Sequence, residues 1–233
     1  MKFMFSIERP ILIGWSAKCG CTHIKNIIHY LNDNETDDVH ITQNTDLSLI
    51  DNIDIFLIIL IIRNPYERLV SGFRNIYKNK NGKIRNKWND NKNIKLTFNN
   101  FVNELVTNNF ETIDEHHFIQ QTEESFNYDI ITNHKHLAIF DINNIDYKFL
   151  EHVFQKDIPR EKIDYRGPHF YNPSKEKIED FVYDLCIDDI CDNDIDYRYF
   201  YNEEIKNKVY EFYKNDFEFF KKYNINYEFE LFN

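Results

Sequence analysis

The sequence predicts an α/β fold in which a central parallel sheet is flanked by helices, and three observations predict it. An unbroken apolar run, Ile55 to Ile62, leads through Asn64-Pro65 into a helical pattern. A second strand-like stretch, Pro10 to Gly14, leads through a turn of mostly small residues into another helical pattern. At 233 residues and 42% hydrophobic, the chain is long enough for one well-cored domain, residues 1–233, and short for two.

Taken in order, Pro10 to Gly14 reads as the first short strand and Trp15 to Thr22 as the turn that follows it. A helix starting at Thr22 and running to Leu31 places Ile24, Ile27, Ile28 and Leu31 on one face. Strand, small-residue loop and helix in that order direct backbone N–H groups and a helix amino end at an anion, and Lys18 adds a charge. The loop departs from GxxxxGK[ST], because Lys18 precedes Gly20 and Cys21 follows it. The central strand ends in Arg63 where a metal-binding Asp would stand in Mg-dependent nucleotide hydrolysis. Both departures point to a nucleotide held by protein cations. Beyond the acidic turn Asn32 to Asp38, Val39-His40-Ile41 reads as a short strand.

The run Ile55 to Ile62 does not alternate, which suits a strand covered on both faces; a membrane span needs about 20 apolar residues. Asn64-Pro65 ends the strand, since proline restricts its predecessor and supplies the φ of a helix's first turn. Glu67 falls in that turn and complements the dipole. Tyr66, Leu69, Val70, Phe73, Ile76 and Tyr77 recur at helical spacing. Arg63 at the strand's carboxyl end and Ser71 on the helix offer a guanidinium fork and a hydroxyl, a pairing that suits phosphate.

Between Arg74 and Lys95 lie eight basic residues against Asp90 alone, read as a solvated loop in preference to a site for an acidic acceptor. Phe98, Phe101, Val102, Leu105 and Val106 predict a helix, and Phe149, Leu150, Val153 and Phe154 another helical face. Tyr128 to Ile131 and Leu137 to Phe140 read as short strands. Ile205, Val209, Phe212, Tyr213, Phe217 and Phe220 read as one carboxyl-terminal amphipathic helix. Asp188, Asp189, Asp192, Asp194 and Asp196 lack the glycine and closing glutamate of an EF-hand loop and read as a solvated acidic loop.

Net charge is −11, which argues against general nucleic-acid binding. The four cysteines give no disulfide framework for a chain of this size, and Cys19-x-Cys21-x-His23 fits no common zinc spacing, so no metal is expected. Met1 to Pro10 carries Lys2, Glu8 and Arg9, and the apolar run Ile11 to Ile13 is too short for a signal core. The expectation is a chain that is cytoplasmic or otherwise soluble, without a signal peptide or membrane anchor.

The two strand-turn-helix stretches together resemble the sulfotransferases that use 3′-phosphoadenosine 5′-phosphosulfate (PAPS), particularly the carbohydrate sulfotransferases of Golgi and bacterial type. Ala17-Lys18-Cys19-Gly20-Cys21-Thr22 stands in place of the family's PK-x-x-x-T loop, with Ala17 replacing the proline, Ile24 replacing a following aromatic and Lys25 retained. Arg63 to Arg74 matches R-[DN]-P-[FY]-E-R-L-x-S-x-[FY]-R throughout. Beyond them the likeness is patchier. His117-Phe118-Ile119-Gln120-Gln121-Thr122 is similar to an H-[FW]-x-P-Q-[ST] segment that lacks its proline here. Asn172-Pro173-Ser174 resembles a late N-x-S element, and Tyr210 to Glu218 a terminal Y-x-x-D-[FY] helix.

The resemblance implies a P-loop-like three-layer fold and PAPS as co-substrate, without metal. Its 5′-phosphosulfate would lie on Lys18, Cys19, Gly20, Cys21, Thr22, His23 and Lys25, and its 3′-phosphate on Arg63 and Ser71. Lys18 would also act catalytically, neutralising charge on the bridging oxygen. For the base, His40 is preferred to His117 because it precedes Arg63 by 23 positions, about the spacing found in several branches; a carboxylate serves in some carbohydrate branches. The resemblance favours a glycan hydroxyl as acceptor. Two other classes stay open: a P-loop-like nucleotide or nucleoside kinase, and a non-catalytic nucleotide-binding protein.

Overall fold

The structure is a computed structural model that describes residues 1–6, 8–33, 45–78, 88, 95–107, 113–123, 127–159, 177–190 and 192–232. His40, most of the basic segment after Lys78 and Asn172-Pro173-Ser174 lie outside the described residues. The strands are β1 (Lys2–Phe5), β2 (Ile11–Trp15), β3 (Leu57–Ile62), β4 (Leu137–Asp141), β5 (Lys177–Ile178) and β6 (Asp194–Ile195). The helices in chain order are α1 (Cys21–Leu31), α2 (Pro65–Lys78), α3 (Phe98–Thr107), α4 (Glu115–Phe118), α5 (Tyr128–Asn133), α6 (Tyr147–Phe154), α7 (Ile187–Ile190), α8 (Glu203–Phe212) and α9 (Lys214–Lys222).

The architecture is mixed α/β, with a parallel-dominated sheet flanked by helices. The sheet order is β1-β2-β3-β4, with β2, β3 and β4 parallel and β1 antiparallel at the edge. The register pairs Gly14 with Leu60 and Ile61 with Phe140, so β2, β3 and β4 end at one level. Five consecutive residues of β3, Ile58 to Ile62, are buried, as its unalternating apolar run requires.

The chain divides into two compact units, residues 1–63 with 121–168 and residues 64–120 with 169–233. The first holds the sheet. There Ile24, Ile27, Ile28 and Leu31 of α1 and Leu150 and Phe154 of α6 pack with Ile11, Ile13, Ile59 and Ile61. Each such buried side chain contributes about 2 kcal/mol of transfer free energy. The second unit is helical around an aromatic core in which Phe73 meets Phe98 and Phe101, and Phe98 meets Phe200.

Four expectations change. The acidic stretch is not a loop throughout, since Asp188 and Asp189 lie in α7, Asp194 lies in β6 and Asp196 caps a 3₁₀ turn. The central strand starts at Leu57, because Asn52 in the left-handed region (φ 55°) opens a 3₁₀ turn over Ile53–Ile55 that leaves Ile55 exposed. Tyr128 to Ile131 is helical: its apolar run is short enough to suit either state, only Ile131 is buried, and Asp129 sits in the helix's first turn. The carboxyl-terminal helix is two helices, α8 and α9, broken at Tyr213 (φ −100°). Fully buried Tyr213 donates its hydroxyl to the Phe118 carbonyl at 2.6 Å, and this anchor holds the break. Among the described residues no helix is long and apolar enough to cross a membrane.

Candidate functional site

Within the first unit, β2 ends at Trp15 and the chain turns through Ser16 to Gly20 into α1. The Cys19 N–H donates to the Ser16 carbonyl at 3.1 Å, and the Ile24 N–H to the Gly20 carbonyl at 3.0 Å. Lys18 and Gly20 both lie at positive φ, 67° and 68°. Glycine adopts this freely, and a Cβ at Gly20 would collide with Ile142. For Lys18 the conformation costs about 1 kcal/mol, which marks the turn as held by its surroundings. The N-cap of α1 is Gly20, which has no side chain to cap with, and the helix's first turn carries no acidic residue. The helix's positive pole therefore faces the turn without a built-in counter-charge.

Arg63 stands one residue past β3. Its Nη1 donates to the Lys18 carbonyl at 3.0 Å, which brings the strand-end arginine to the turn. Gln121, fully buried, accepts the Arg63 N–H at 3.1 Å and donates its Nε2–H to the Arg63 carbonyl at 2.9 Å. The same Gln121 Oε1 accepts the thiol of buried Cys19 at 3.0 Å. The hydroxyl of buried Ser16 has no hydrogen-bond partner among the described residues. Two cation-bearing residues, a helix amino end and an unsatisfied hydroxyl form a donor set that fits a phosphate or phosphosulfate group.

Cys21 and Thr22 head α1, half-buried. His23 shares a 2.6 Å hydrogen bond between Nε2 and the Tyr147 hydroxyl, and the Lys25 ammonium lies 5.9 Å from the centre of the Trp15 ring. Further along α1, burial and then Lys25 lower the pKa of His29. Cys19 and His23 thus each have a protein partner, and among the described residues no three His, Cys, Asp or Glu side chains gather as a metal site.

The second unit holds Ser71 and His117. Asn64 caps the first turn of α2, its Oδ1 accepting the Tyr66 N–H at 3.0 Å, and Pro65 and Glu67 follow as helix-start residues. Ser71 lies two turns further along, half-buried. Arg68, on the same helix, is buried and donates to the Ile119 carbonyl at 2.8 Å and the His117 carbonyl at 3.3 Å. His117 hydrogen-bonds through Nδ1 to the Asp114 carboxylate, whose other oxygen accepts the His116 N–H at 3.1 Å. Such a carboxylate fixes the proton on Nδ1 and sets Nε2 as the basic nitrogen. The His117 side chain is about one-third exposed.

The structure thus brings Lys18, Cys19, Gly20 and Arg63 together in one unit, with Cys21, Thr22, His23 and Lys25 on the adjoining helix. Ser71 and His117 belong to the other unit, and His40 is outside the described residues. Sequence reasoning assigned no role to Gln121, Ser16 or Asp114. The signal for Gln121 was present in its motif match, and that for Asp114 in its spacing of three from His117.

Residues 2–224 match the sequence profile of a family described as the sulfotransferase family. Comparisons with curated proteins and with solved structures returned no match.

Proposed function

The chain belongs to the sulfotransferase family, and on that premise we propose that it moves a sulfuryl group from PAPS to an acceptor hydroxyl, with a carbohydrate as the acceptor class. The observation that carries this reading is the 3.0 Å bond from Arg63 Nη1 to the Lys18 carbonyl, which sets two cation-bearing residues side by side at an uncapped helix amino end. Residues 1–233 are read as one catalytic domain, a reading supported by a family match that includes residues of both compact units.

PAPS supplies a sulfuryl group whose bridging oxygen leaves with the nucleotide. Lys18 neutralises the charge that grows at that oxygen, aided by the backbone N–H groups of Gly20 and Cys21 and by Thr22. His23 and Lys25 complete the surroundings of the 5′ end, and Arg63 and Ser71 hold the 3′-phosphate. A histidine takes the acceptor's proton as the in-line oxygen attacks. His40 is the base that spacing selects. A second reading, His117, is favoured by its bond to Asp114, which orients a ring nitrogen for proton abstraction.

Calorimetry with 3′-phosphoadenosine 5′-phosphate, with and without chelator, tests the proposal. Binding should be unaffected by chelator, and Arg63→Ala should lose about 2 to 5 kcal/mol of it. A preference for ATP would return the kinase reading. Binding of the nucleotide with no sulfuryl transfer to any hydroxyl would leave the non-catalytic one.

A further inference from the structure

We infer that Gln121 is the positioning residue of the nucleotide site, one buried side-chain amide that sets the backbone of Arg63 and the base of the Lys18–Gly20 turn together. The parallel ladders end at Trp15–Ile61 and Ile62–Asp141, so Arg63 leaves the sheet with its N–H and C=O beyond the last paired residues. Gln121 supplies both missing partners. Its Oε1 accepts the Arg63 N–H at 3.1 Å and its Nε2 donates to the Arg63 C=O at 2.9 Å, a two-bond ring that orients the whole residue. An amide can do this because it donates and accepts at once; a carboxylate cannot donate, and a leucine can do neither.

The same oxygen accepts the Cys19 thiol at 3.0 Å. Arg63 in turn donates to the carbonyl of Lys18, the residue before Cys19. The links close a circuit through Gln121, Arg63, Lys18 and Cys19, although Gln121 is 58 residues from Arg63 and 102 from Cys19 in sequence. Because Gln121 is fully buried, it acts through Arg63 and the turn. The positive φ of Lys18 fits a turn held from below in this way. This deepens the proposed function and rests on it for the identity of the nucleotide.

The test uses the full chain, with 3′-phosphoadenosine 5′-phosphate as probe and a double-mutant cycle. Gln121→Leu should weaken binding about 10- to 100-fold while leaving nucleotide-free folding cooperative. In an Arg63→Ala background the same change should cost less than about threefold, since the residue it positions is gone. Gln121→Glu, which keeps the acceptor and loses the donor, carries the same test if the leucine variant does not fold. Equal losses in both backgrounds, or binding within twofold of wild type, would overturn the inference. A second readout needs no nucleotide: alkylation of Cys19 by iodoacetamide, followed by peptide mass spectrometry, should quicken about tenfold in either variant. Unchanged labelling overturns the clamp, whereas failure of the wild-type chain to bind the probe sinks the proposed function instead.

Discussion

Asp114 and His117 are joined carboxylate to Nδ1 across three residues, one oxygen of Asp114 opening the short helix α4 while the other fixes the histidine ring. If this pair is the base, His117→Ala and Asp114→Asn should both lower turnover, by at least tenfold for His117→Ala, with nucleotide affinity unchanged. A loss confined to His40→Ala assigns the role to His40.

Lys18→Ala separates binding from chemistry. Charge on the bridging oxygen develops mainly in the transition state, so turnover should fall on the order of 100-fold while affinity for the desulfonated nucleotide falls only a fewfold. Steady-state kinetics beside calorimetry reads both, and equal losses would make Lys18 a plain anchor.

Arg68 lies in the stretch proposed to bind phosphate, yet its partners are structural. Its guanidinium serves the carbonyls of His117 and Ile119 and lies 5.9 Å from the centre of the Tyr213 ring. Arg68→Ala should cost about 3 kcal/mol in urea unfolding, because it strands two part-buried carbonyls and removes the packing of a buried stem. Arg63→Ala, by contrast, should be felt mainly in ligand binding.

His29 gives the fold an acid-sensitive point. Both ring nitrogens are buried without a hydrogen-bond partner among the described residues, and burial, then Lys25, lowers its pKa below 6.5. The neutral ring is the form the fold accepts, so its contribution is complete above the unfolded pKa and is lost as pH falls through 6.5 towards the lowered folded value. His29→Gln should flatten the fall in thermal midpoint between about pH 7 and pH 5.

How far the sequence could be read depended on the kind of signal each element carries. The unalternating β3, the Asn64-Pro65 boundary and the apolar face of α1 follow from local sterics and periodicity, and they were legible. Tyr128 to Ile131 was misread because four residues cannot distinguish a period of 2 from one of 3.6. The break at Tyr213 depends on a hydroxyl reaching Phe118, 95 residues away, and the apolar repeat runs through it unaltered. Edge strand β1 escaped notice because its burial alternates weakly over four residues. In the candidate site, the placement of Lys18 and Arg63 just after strands was legible. Gln121 was visible only as a motif match, because the partners that give it a part lie 58 and 102 residues away in the chain.

If the proposed nucleotide finishes the start of α1, the protein becomes its own reporter. A helix end finished by a ligand in place of a side chain ties the melting point to occupancy: at 100 times the dissociation constant a ligand adds about 2.7 kcal/mol of stability. A dye-based melting screen of nucleotides differing only at the 3′ position would therefore rank them before any acceptor is known. Adding candidate sugars to the best-bound nucleotide would then seek the acceptor as a second upward shift.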